Sequence, residues 1–135
     1  MRILSALAVV AAFTLPATAQ NYPQEFEAGR AEYLAACAAC HGENADGNGP
    51  IAIMFDQRVP GLRGMAIDND GKFPLLETFM IVDGRTGVRG HGSPMPVFGN
   101  RYKAELGTAL GDYGSEAAVR ARVLELVYYL QAIQD

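Results

Sequence analysis

Five consecutive residues, Cys37-Ala38-Ala39-Cys40-His41, hold both cysteines of the chain and one of its two histidines. Two thiols three positions apart lie about one helical turn from each other, so both reach the vinyl groups on one edge of a porphyrin. The histidine directly after the second thiol is then carried under the ring, where an imidazole nitrogen binds iron. Cys-x-x-Cys-His is the attachment motif for c-type haem. The chemistry expected is therefore two thioether bonds, from Cys37 and Cys40, with His41 as an axial iron ligand. Three other readings compete for these residues. Free cysteines behave as small core hydrophobes, but a close thiol pair in an exported chain seldom stays reduced. A thioredoxin-like redox pair needs a strand just before the motif, whereas Phe26 to Ala36 is helical in pattern. Zinc wants about four nitrogen or sulfur ligands, and adjacent Cys40 and His41 make poor tetrahedral geometry even with His91 added.

An iron held by one histidine has a second axial position. A thioether sulfur suits it, and a His/Met pair raises the reduction potential relative to two nitrogens. Beyond Met1 the methionines are Met54, Met65, Met80 and Met95. Met54 is close in sequence to His41, and Met80 falls on the apolar side of a predicted helix, where packing is methionine's ordinary role. Met95 is clamped in Pro94-Met95-Pro96 on a stiff loop, which limits ligand reorganisation, and it is the favoured sixth ligand; Met65 and Met80 stay as alternatives. His91, four residues earlier, is a second candidate, read here as a surface histidine near the ring edge.

The elements that must position these groups read as all-α. Pro23 opens a helix whose apolar and aromatic positions run Phe26, Tyr33, Leu34 and Cys37. Gly29 inside it costs about 1 kcal/mol relative to alanine, which makes sense where another helix crosses closely. Residues 42–50 are rich in Asp-Gly, Asn-Gly and Gly-Pro signals and read as a solvated turn. Ile51 to Phe55 suggests a short helical turn, and Val59-Pro60-Gly61-Leu62 an extended segment. A short amphipathic helix is predicted from Leu75 to Val82, with Leu75, Leu76, Phe79 and Met80 as its apolar residues, stopping at Asp83-Gly84. Residues 84–100 are Gly- and Pro-rich and irregular. Residues 100–114 read as a polar connection, and Ser115 as the N-cap of a last helix with the apolar stripe Val119, Val123, Leu126, Val127, Leu130 and Ile133.

A basic start, an apolar run from Ala6 to Leu15 and the small-residue end Ala17-Thr18-Ala19 describe a secretory signal peptide. Cleavage after Ala19 leaves residues 20–135 as one domain, a length that fits a single unit. The apolar run is shorter than the ~20 residues of a membrane span. Arg2 is the only charge lost, so the remainder is one unit more acidic than the whole chain's −4, which argues against nucleic acid as a partner.

These residues together resemble a class I c-type cytochrome of the small monohaem, periplasmic bacterial kind, over nearly all of residues 25–134. The likeness rests on Gly29 and Tyr33, on Cys37 to Gly42, and on Val59-Pro60-Gly61-Leu62. It continues in Ile81-Val82-Asp83-Gly84-Arg85, Met95-Pro96-Val97-Phe98-Gly99 and Tyr129-Leu130. The resemblance implies three to five helices with long loops around one covalent haem c. It also implies a crossing of the first and last helices where Gly29 and Tyr33 meet Tyr129, and a Pro60 carbonyl accepting a hydrogen bond from the His41 ring, the usual way of orienting a metal-bound imidazole.

The function expected is periplasmic one-electron transfer between redox partner proteins, by a monomer with no membrane span after signal cleavage and no bond chemistry on a substrate. The alternatives are a haem-based gas sensor or small peroxidase-like enzyme with a displaceable sixth ligand, or the electron-entry subunit of a larger oxidoreductase. Lysines are few, Lys72 and Lys103, but Arg85, Arg89, Arg101 and Lys103 flank the Met95 loop and suggest a local basic face for an acidic partner.

Overall fold

The computed structural model describes residues 24–84, 95–107 and 109–135. The signal-peptide reading, His91, Arg85 and Arg89 therefore lie outside the described residues. Among the described residues there are five α-helices, three 3-10 turns and no strand, so the all-α expectation holds.

A 3-10 turn at Gln24–Phe26 leads into α1 (Glu27–Ala36). Gly29 and Tyr33, one turn apart, are its buried residues, and both face α5 (Gly111–Ala132). A β-carbon at Gly29 would collide with the Glu125 carbonyl oxygen and stand 2.8 Å from the Tyr129 β-carbon. The glycine expected to mark a close helix crossing thus has a steric reason. The Tyr33 and Tyr129 rings lie 5.4 Å apart between centroids, tilted by 46°, a favourable geometry for paired aromatics. Along α5 the expected stripe is buried: Val119, Val123, Leu126, Val127 and Leu130, with Ile133 just past the helix end. This spacing keeps one face inward over about four turns, and α1, α3 and α4 all pack on α5.

The α3 helix (Leu75–Asp83) ends at Gly84, whose φ of 71° is the left-handed conformation that glycine adopts without strain at a helix C-terminus. Leu76, expected on its apolar side, is 68% exposed; Thr78, Val82 and Asp83 are the buried residues. The inward line runs through 75, 78, 79 and 82, and position 76 turns away from it.

Residues 100–114 hold more structure than a polar connection. They contain most of α4 (Phe98–Leu106) and the start of α5. Phe98, Tyr102 and Leu106 recur every fourth residue on a short helix whose other positions, apart from Gly99 and Ala104, are polar. Ser115 does not cap α5, which starts four residues earlier. Its hydroxyl instead donates to the Gly107 carbonyl, 3.3 Å away, and ties the end of α4 to the second turn of α5.

Candidate haem site

After α1 the chain bends at Cys37 and resumes as the four-residue α2 (Ala38–His41). Hydrogen bonds from the Cys40 and His41 amides to the Cys37 carbonyl, at 3.1 and 2.9 Å, keep the motif wound, so the two cysteines remain one turn apart. Cys37 is buried and Cys40 half-buried.

His41 is 6% exposed, and its Nδ1 lies 2.9 Å from the Pro60 carbonyl oxygen. A carbonyl only accepts, so Nδ1 carries the proton and donates. In the neutral ring Nε2 then keeps its lone pair, the form that binds a metal. The ring's orientation is thereby fixed without help from any ligand.

The 42–51 loop accounts for the position of that carbonyl, and it is more than a solvated turn. Gly47 donates to the His41 carbonyl at 2.8 Å, Gly49 to Cys40 at 3.1 Å, and Ile51 to Ala39 at 3.1 Å, so the loop doubles back over the end of α2. Ala45 is fully buried and its carbonyl accepts from Leu62 at 2.7 Å, which draws the Pro60 segment onto the loop. A β-carbon at Gly47, where φ is 83°, would lie 2.6 Å from the Val59 carbonyl oxygen and 2.9 Å from the Gly61 nitrogen. Glycine is needed there for close backbone approach and for its dihedral alike. The Tyr33 hydroxyl donates to the Gly42 carbonyl at 2.5 Å in a buried bond, which links the helix crossing to the residue after His41. Sequence reasoning missed that tie; no local pattern signals a hydroxyl reaching nine residues along the chain.

Cys37, Cys40, His41, Pro60 and Met95 line one cleft with about 580 Å³ of empty space, part of it open to solvent. Ala36, Phe55, Val59 and Phe98 add apolar wall, while Gln57 and Arg58 stand among the lining as polar groups. Met95 is half-buried and packs against the core. The competing methionines do not line this cleft: Met54 is 76% exposed, and Met65 and Met80 are half-buried elsewhere.

The base of the Met95 segment is clamped at both ends. A β-carbon at Gly84 would stand 2.9 Å from one Val97 methyl, and one at Gly99 would stand 2.7 Å from the buried Asp83 carboxylate. The end of α3 and the start of α4 therefore lie side by side, with Met95 three residues before α4.

Electrostatics fit a neutral sulfur. Burial first, then the neighbouring Cys40 and Glu32, pushes the Cys37 thiol up to about 12. Redox-active Cys-x-x-Cys pairs depend on a lowered thiol pKa, so this environment disfavours a thioredoxin-like role and suits a thiol that ends as an uncharged thioether. No group of three or more His, Cys, Asp or Glu arranged to hold a metal ion occurs among the described residues; His91, which the zinc reading adds to the motif, lies outside them. The residues present fit a haem: two sulfurs one turn apart, an oriented imidazole, a thioether in the same cleft and apolar walls.

Residues 26–112 match the family model described as Cytochrome c. Neither a curated protein nor a solved structure matches the chain.

Proposed function

Because the chain belongs to the cytochrome c family and with it holds haem c covalently, we propose that it is an exported carrier of one electron, with Cys37 and Cys40 joined to the haem and His41 and Met95 on its iron. Electron transfer by haem is the family's chemistry, and redox proteins are its partners. When bound, the haem supplies a one-electron Fe(III)/Fe(II) couple. The protein's own groups govern that couple. The Pro60 carbonyl holds the His41 ring in one tautomer and one orientation. Met95 supplies a soft sulfur that favours the reduced state relative to a second imidazole. Phe55, Val59 and Phe98 give the cleft apolar walls, and a haem filling the space between them would leave little solvent to rearrange as charge changes.

The observation that carries the reading is the convergence of His41, with Nε2 available, and Met95 on one cleft beside both cysteines. A coordination sphere filled from both sides suits outer-sphere transfer and leaves no position for a substrate, which favours a carrier over a sensor or an enzyme. Export after cleavage at Ala19 is supported by the basic and apolar pattern of residues 1–19. No helix among the described residues is long and apolar enough to cross a membrane.

The far-red absorption of the oxidised protein tests the ligation. A thioether-to-iron charge-transfer band is expected in the native chain. In Met95→Ala it disappears while the Soret band and the covalent haem remain, and the reduction potential falls. A native protein without that band, or a Met95→Ala variant that keeps it, overturns the assignment.

A further inference from the structure

A guanidinium outside the cleft joins the two arms that carry its ligands. Arg122, on α5, presents Nε and Nη2 as a fork to the Glu32 carboxylate at 2.7 and 3.0 Å, and Nη1 to Glu105 at 2.9 Å. Its central carbon sits 3.9 Å above the centre of the Tyr102 ring. Glu32 belongs to α1, which runs directly into Cys37; Glu105 and Tyr102 belong to α4, which begins three residues after Met95. Arg101 donates to the other oxygen of Glu105 at 3.1 Å and completes the chain of charges.

We infer that Arg122 is a positioning residue for Met95, fixing α4 against α1 so that the methionine is held over the cleft. The inference rests on Met95 being the sixth ligand. An isolated surface ion pair does little, but this one is a bidentate fork, shared between two carboxylates and stacked on an aromatic face, with Arg122 only 30% exposed. Both Glu105 and Arg122 respond to it: Arg122 holds the Glu105 carboxyl below its usual range, and Glu32 holds the Arg122 guanidinium charged above its own. The two helices it joins differ in how much else secures them. The contact of α1 with α5 is fixed by Gly29, Tyr33 and Tyr129. By contrast, α4 buries only Phe98, Gly99 and Tyr102. Tyr102, under the guanidinium, is one turn from Phe98, whose ring is 6.1 Å away and lines the cleft beside Met95. Loosening Arg122 therefore acts first on α4 and, through Phe98, on the methionine.

The test is an imidazole titration of the oxidised holoprotein, followed by loss of the far-red thioether band. Added imidazole takes the sixth position only while the Met95 sulfur is off, so its apparent affinity scales with the population of released sulfur. Arg122→Met is expected to bind imidazole about tenfold more tightly than the native protein, with Arg122→Lys between the two. Glu105→Gln, which cuts only the α4 side of the network, moves in the same direction and adds little on top of Arg122→Met; it also serves if Arg122→Met does not fold. Ile133→Ala, a buried truncation three helical turns from Arg122, lowers thermal stability but leaves imidazole affinity unchanged. Native affinity in both Arg122→Met and Glu105→Gln with the band retained, or an equal gain in Ile133→Ala, overturns the inference while Met95 ligation stands. A native protein with no far-red band overturns Met95 ligation itself, and the inference with it.

Discussion

A carbonyl oxygen has no proton to give, and that single fact determines what the His41 ring offers the cleft. With Nδ1 donating to Pro60 at 2.9 Å, the imidazole is held in the metal-binding tautomer before any metal arrives. Tyr33 works at one remove from the same residue. Its hydroxyl is the partner of the buried Gly42 carbonyl, and burial raises its pKa well above the ordinary range, so it stays a donor at any physiological pH. Tyr33→Phe is expected to lower the unfolding free energy of the holoprotein by about 1–2 kcal/mol, read from guanidinium melts, with haem attachment intact. The attachment motif was legible because its residues are consecutive. Met95 was singled out by its flanking prolines; it lines the cleft, and Met54, Met65 and Met80 do not. The Tyr33–Gly42 bond and the Arg122 network were not legible, since each depends on partners that only the folded chain brings together.

At the scale of elements, close approach matters more than propensity. Alanine is the better helix former by about 1 kcal/mol, yet Gly29→Ala would drive a methyl into the Glu125 carbonyl on α5. A net loss of about 1–3 kcal/mol is expected, measured by thermal or chemical denaturation of the holoprotein; an unchanged or raised midpoint would mean that α1 and α5 do not meet as described. The same lesson explains which helices the sequence disclosed. The long α5 stripe and the Gly84 stop of α3 follow simple periodic and capping rules, and both are present. The α4 helix was hidden because its polar positions outnumber its buried ones, and because Gly99 stands in its first turn. That glycine is required by the Asp83 carboxylate packed against it, so a residue that weakens the local helix signal is the one that lets α3 and α4 join. The 42–51 loop was hidden for a related reason: its turn residues advertise solvent, whereas its backbone is spent on the carbonyls of α2.

At the scale of the whole molecule, the five helices among the described residues serve to bring an edge of two sulfurs, an imidazole and a thioether to one cleft. Without a large apolar group in that cleft its walls would face one another across open space, so the cofactor belongs to the fold's core as much as to its function. The basic face expected around the Met95 loop is only partly within the described residues. Arg101 there is engaged with Glu105, and Lys103 is exposed. Intact mass of the protein purified from its own host, taken under denaturing conditions, tests the central claim most directly. The expected mass is that of a polypeptide beginning at Gln20 plus one haem, retained because two thioether bonds survive unfolding. A mass equal to the bare polypeptide, with no Soret absorbance, would contradict it.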